Sequence, residues 1–134
     1  MADARAARPA GPPAVLLVDD DALLRRLVKT TLRPMAVRIV EADNAIEALK
    51  VARDERPCVA LLDVGLGKDD GVRLCQSLKT SEATKDVRVV MLSGHDDPRT
   101  RARAHRAGAS AFLAKPFSPL ALWRTVDDLV AAAV

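Results

Sequence analysis

Aromatic side chains are nearly missing from this sequence: there is no tyrosine, one tryptophan and two phenylalanines, 2% of 134 residues. Aliphatic residues must therefore build whatever core the chain has, and a nucleic-acid surface made of stacked aromatics is excluded. Cysteine is also scarce. Cys58 and Cys75 each sit within an apolar pattern, the usual setting of a small buried hydrophobe rather than of a disulfide framework. No apolar run approaches the roughly 18 residues that a membrane span requires. The start, MADARAARPAGPPA, has no apolar stretch of the kind that marks an export signal. These absences lead us to expect a cytoplasmic chain with no membrane segment, in which residues 1–13 form a flexible leader and residues 14–134 one domain.

Charge is plentiful but mixed. Against 21 Lys and Arg stand 18 Asp and Glu, for a net charge of +3, and the basic residues are scattered, so no nucleic-acid partner is expected. Four short apolar runs recur, VLLV at 15–18, VALL at 59–62, VVML at 89–92 and AFLA at 111–114, with VRIV at 37–40 as a weaker fifth. Continuous apolar runs of this length suit strands covered on both faces. Between them lie helical stripes: Leu24, Leu27, Val28 and Leu32; Ala45, Ile46, Leu49 and Ala52; Leu74, Cys75 and Leu78; and Leu122, Trp123, Val126, Leu129 and Val130. The Arg-rich segment 98–107 is read as a further helix. Its Arg99, Arg103 and Arg106 share a face, read either as solvated or as a patch for an acidic partner. Asn44 with Glu47, Asp97-Pro98 and Ser118-Pro119 mark helix starts, and Gly108 a helix stop. Five alternations of strand and helix imply an α/β fold, a five-stranded parallel sheet with helices on both faces.

In such a sheet, sites form at the carboxyl ends of the strands. The first run stops at Asp19 and Asp20, the third at Asp63, the fourth at Ser93 and the last just before Lys115. Taken singly, each is an ordinary residue for a loop entry or a helix cap. Taken together, three carboxylates about 5 Å apart would repel by roughly 3 kcal/mol per pair at an effective dielectric near 20, which calls for a cation. Oxygen ligands suit Mg²⁺. With a lysine and a hydroxyl nearby, the set is equipment for phosphoryl transfer, with Asp63 as the nucleophile.

Four stretches, VLLVDDDALLRRLV, LLDVGLGKDDG, VVMLSGH and AFLAKPF, resemble the bacterial response-regulator receiver domain of two-component signalling, over about residues 14 to 132. The steps from Asp63 to Ser93, Phe112 and Lys115, which are 30, 49 and 52 residues, match the chemotaxis-type single-domain pattern. The resemblance implies a flavodoxin-like doubly wound sheet. It further implies Mg²⁺ (or Mn²⁺) held by Asp19 through water and Asp20 directly, with Asp63 and the backbone carbonyl of Gly65 completing the set. Asp63 corresponds to the phosphoacceptor, Ser93 and Phe112 to the switch pair, and Lys115 to the lysine that faces the phosphoryl group, with a Lys115-Pro116 bond that is often cis in similar proteins. The implied phosphodonor is a sensor histidine kinase or a histidine phosphotransfer protein. With no output domain following, action by docking to an unknown downstream protein, or as a relay shuttle, is expected.

Two positions depart from the pattern: Gly67 stands where a loop proline is usual, which loosens the loop before the third helix, and the switch aromatic is Phe rather than Tyr. His95, two residues past Ser93, is a possible modulator of phosphoryl lifetime, while Asp69 and Asp70 read as caps of the third helix. The competing reading is an enzyme, a haloacid-dehalogenase-like phosphatase with Asp19 as nucleophile in the run Asp19-Asp20-Asp21. Against it stand the missing Gly-Thr after Asp21, the placing of Asp127 and Asp128 inside a helix, and the lack of a cap domain. The expected protein is a phospho-switch, with no enzyme activity beyond its own phosphorylation and dephosphorylation.

Overall fold

The computed structural model describes residues 11–133, so most of the expected leader, residues 1–10, lies outside the described residues. The chain alternates β1 (Ala14–Val18), α1 (Ala22–Leu32), β2 (Arg38–Ala42), α2 (Ala45–Glu55), β3 (Val59–Asp63), the two-residue strands β4 (Gly65–Leu66) and β5 (Asp69–Asp70), α3 (Gly71–Thr80), β6 (Arg88–Ser93), α4 (Pro98–Arg106), β7 (Ala111–Ala114) and α5 (Pro119–Ala133). Five strands form one parallel sheet in the order β2-β1-β3-β6-β7. The order reverses between β1 and β3, which is where an open α/β sheet leaves a crevice.

The apolar runs explain the layering. Successive strand residues face opposite sides. Leu16, Val18, Ala60, Leu62, Val89 and Met91 therefore meet α2, α3 and Ala104 of α4, while Val15, Leu17, Val59, Leu61, Val90 and Leu92 meet Val28 and Leu32 of α1 and Leu122 and Val126 of α5. Each fully buried Val, Leu or Met among these contributes about 1.5–3 kcal/mol of transfer free energy. The edge strands β2 and β7 are only partly covered, and β2 begins at Arg38 and runs on to Ala42, displaced from the expected 37–40.

Two expected core residues are not core. Leu27 is 40% exposed and Ile46 84% exposed. The inward ridge of α1 runs through Leu24, Val28 and Leu32, four residues apart, leaving Leu27 beside it. In α2 the buried position is taken by Ala48, whose small side chain lets the helix lie close to the sheet. Trp123 packs, half-buried, against the α1/α5 cluster.

The helix starts follow the expected chemistry. Asn44 accepts from the Glu47 amide, Asp97 from the Thr100 amide ahead of a Pro98 first turn, and the Ser118 hydroxyl from the Ala121 amide. Gly108 takes φ +100° just past α4. The loop that holds Gly67 contains the antiparallel pair Gly65↔Asp70 and Leu66↔Asp69 and turns through Gly67 at φ +61°, a conformation glycine adopts without steric penalty.

Candidate functional site

The carboxyl ends of β1, β3, β6 and β7 meet at one edge of the sheet. Asp63 is the last residue of β3 and is buried; Asp19, directly after β1, is completely buried, and Asp20 beyond it is exposed. Each of these three offers an oxygen within 4.8 Å of the others. Lys115, immediately after β7, reaches in with its Nζ 3.1 Å from Asp19 Oδ2 and 3.2 Å from Asp63 Oδ2. Its backbone is fixed by its amide, which donates a hydrogen bond to the Ser93 carbonyl at 2.7 Å, and the Lys115-Pro116 peptide is cis. Ser93, at the end of β6, is buried. Its hydroxyl donates to the carbonyl of His95 at 3.1 Å and accepts from the His95 amide at 3.0 Å.

The electrostatics follow from this crowding. Burial, and then the charge of Asp19, push the Asp63 carboxyl above its ordinary value, against the opposing pull of Lys115 and the Gly65 amide. Burial alone would lower Lys115, but hydrogen bonding and charge from Asp19, and then from Asp63, outweigh it and hold the ammonium firmly protonated. Three carboxylates against one lysine leave negative charge unmatched. A set of oxygen donors with that surplus fits a hard divalent cation such as Mg²⁺, and Asp19, Asp20 and Asp63 are the residues that would hold it.

Of the residues singled out from the sequence, Asp19, Asp20, Asp63 and Lys115 are brought into one cluster, and Ser93 lies next to it through the β6–β7 pairing. Gly65 is exposed; its amide donates to Asp63 Oδ1 at 3.2 Å. Phe112 stands on β7 opposite Met91 and packs, half-buried, on the α2/α3/α4 side. His95 engages Ser93 through its main chain, and its side chain is exposed. Asp70 caps α3 by accepting from the Val72 amide, as expected. Asp69 does not. It accepts the Ala45 amide at the start of α2, because β4 and β5 carry it across to that helix.

Three supporting residues were not legible beforehand. Arg25 donates from Nη1 to the Asp19 carbonyl at 2.5 Å. Arg103, read as part of a face either solvated or open to an acidic partner, pairs within the chain with Asp70 at 2.8 Å. Gly71 packs so tightly under the site that a Cβ there would lie 1.9 Å from the Asp63 carbonyl oxygen; a glycine eight residues past a strand-end acid was the one available signal.

A doubly wound sheet with an acidic cluster and an inward lysine at its carboxyl edge is the arrangement of a receiver. Residues 15–127 match the family described as the response regulator receiver domain, and the chain belongs to that family, a component of two-component signalling. It is 37% identical over 105 residues to the probable transcriptional regulator ycf27 of Pyropia yezoensis, covering 78% of this chain and 42% of that protein. It is 30% identical to protein PilG of Pseudomonas aeruginosa, covering 78% of this chain and 77% of PilG. The chain spans less than half the length of most of the curated relatives it resembles. Among solved structures, a putative response regulator from Chloroflexus aurantiacus superposes with a TM-score of 0.83 at 31% identity, covering 90% of this chain and 98% of that one. The chemotaxis protein CheY4 of Vibrio cholerae superposes with 0.82 at 27% identity, covering 89% and 99%. Among the described residues no helix is long and apolar enough to cross a membrane.

Proposed function

We propose that residues 14–134 form a phospho-accepting receiver that takes a phosphoryl group on Asp63 from a sensor histidine kinase or a histidine phosphotransfer protein. The observation that carries this reading is Asp63 at the end of a central strand with the Lys115 ammonium 3.2 Å from its carboxylate. In the transfer, a carboxylate oxygen of Asp63 forms a bond to phosphorus as the bond from the donor imidazole nitrogen breaks, the electron pair leaving with that nitrogen. Lys115 neutralises charge on the phosphoryl oxygens, and the Ser93 hydroxyl becomes their hydrogen-bond donor. A bound Mg²⁺ or Mn²⁺, held by Asp19, Asp20, Asp63 and the carbonyl of Gly65, would supply the remaining positive charge. Ser93 and Phe112 then shift the α4 and α5 surface toward a downstream protein, the chain itself acting by docking or as a shuttle.

Asp19 is a poorer nucleophile than Asp63. Both carboxylates accept on both oxygens, Asp19 from the Asp21 amide and Lys115 and Asp63 from the Gly65 amide and Lys115, but the Asp19 side chain is fully enclosed while that of Asp63 stays partly open to an incoming donor. Incubation with acetyl phosphate and Mg²⁺, followed by borohydride trapping and mass spectrometry, should place the adduct on Asp63 and nowhere in Asp63→Asn. An undiminished adduct in that variant, or one on Asp19, would overturn the reading.

A further inference from the structure

Arg25 stands outside the acidic cluster yet touches its frame. It lies in the second turn of α1, and its Nη1 donates to the main-chain carbonyl of Asp19 at 2.5 Å. The same guanidinium pairs through Nε with Glu41 Oε1 at 3.3 Å, on strand β2, and Glu41 is held in turn by Lys29 at 3.2 Å. The carbonyl that Arg25 grips belongs to the peptide joining Asp19 to Asp20. That unit is planar, so fixing the direction of the Asp19 oxygen fixes the direction in which Asp20 leaves it. Asp19's own side chain is already tied to the Asp21 amide and to Lys115. Asp20 is exposed, and the orientation of its carboxylate toward Asp63 therefore depends on the backbone before it.

We infer that Arg25, braced by Glu41, is a positioning residue that sets the cation affinity of the Asp19–Asp20–Asp63 cluster; the inference rests on the cation-site reading given above. It makes a prediction opposite to the one that charge alone makes. A guanidinium beside the cluster repels an incoming cation, so if Arg25 acted only through its charge, removing it would tighten Mg²⁺ binding. If it acts by holding the Asp19–Asp20 peptide, removing it loosens binding.

Calorimetric titration of the full chain with MgCl₂ separates these outcomes, with thermal unfolding of the metal-free proteins measured alongside. Arg25→Gln is expected to weaken Mg²⁺ binding by roughly tenfold, the low end of what loss of a residue supporting a metal ligand costs. Arg25→Lys keeps the charge but cannot reach both oxygens in the same fork, and it should also weaken binding. Glu41→Gln should do so to a smaller degree. An Arg25→Gln protein that binds Mg²⁺ as tightly as the parent, or more tightly, overturns the inference. Should that variant fail to fold, Arg25→Lys decides, since an unchanged affinity there means only charge mattered. A parent that binds no Mg²⁺ defeats the cation-site reading itself, and this inference with it.

Discussion

The guanidinium carbon of Arg101 lies 4.5 Å from the centroid of the Phe112 ring, and the same guanidinium pairs with Asp96. Asp96 follows His95, whose amide and carbonyl bracket the Ser93 hydroxyl. Phe112, which has no hydroxyl of its own, is thereby linked to the loop after Ser93 by a cation over its face. In Arg101→Gln, the Phe112 ring resonances of the unmodified protein should move partway toward the positions they reach when beryllofluoride and Mg²⁺ are added. Labelling of Asp63 by acetyl phosphate should be unaffected. Ring resonances identical to the parent's in both states would show that Arg101 does not hold the ring.

Asp63 should cost the protein stability. Its carboxyl lies above the ordinary 3.8 in the folded chain, chiefly through burial, so folding favours the protonated form. The penalty appears as the pH rises from 3.8 through the folded value and is fully present at neutral pH. Asp63→Asn should therefore unfold at higher temperature than the parent at neutral pH, and the difference should vanish below 3.8. Lys115 has the opposite sign. Its raised value contributes stability below 10.5 that is lost as pH rises through the folded value, so Lys115→Met should be less stable than the parent at neutral pH. Melting curves across the acid range check the first statement, and curves at neutral and alkaline pH the second.

Gly71→Ala should be severe for a one-methyl change. The new Cβ would lie 1.9 Å from the Asp63 carbonyl oxygen and 2.8 Å from its carbon, both backbone atoms that cannot rotate away. Overpacking of this kind costs about 1–3 kcal/mol, and the upper half of that range is expected here, measured by urea unfolding. A variant of parental stability would mean that the turn after Asp63 yields more easily than its packing implies.

His95 contributes its main chain to Ser93 and exposes its imidazole. His95→Ala should accordingly leave the Ser93 loop intact and isolate the side chain. We expect slower loss of the acyl phosphate, through loss of a group that orients the attacking water, followed by the decay of phosphorylated protein after donor removal. A parental rate would make the imidazole a bystander, and a faster one a shield.

Strands and site were legible in the sequence for the same reason. Short aliphatic runs such as VALL at 59–62 need cover on both faces, and the polar residues that end four of them, Asp19, Asp63, Ser93 and Lys115, fall at the sheet's carboxyl edge. The helix faces were read less well. Three- and four-residue spacing does not say which of two neighbouring ridges meets the sheet, hence the exposed Leu27 and Ile46. Strands β4 and β5 are two residues each, too short to show a period. Arg25 and Glu41, sixteen positions apart, and Asp70 and Arg103, thirty-three apart, are partners by tertiary folding alone.

The Asp69 bond to the Ala45 amide, 2.9 Å long and spanning 24 residues, makes one hydrogen atom a reporter. Amides in the first turn of a helix have no acceptor within that helix, so Ala45 would exchange rapidly with solvent deuterium if Asp69 let go. Its exchange rate thus measures how often the short hairpin beyond Asp63 lifts from α2. Followed with and without beryllofluoride, that single amide would show whether a phosphoryl-like group at Asp63 clamps the hairpin down or pries it open.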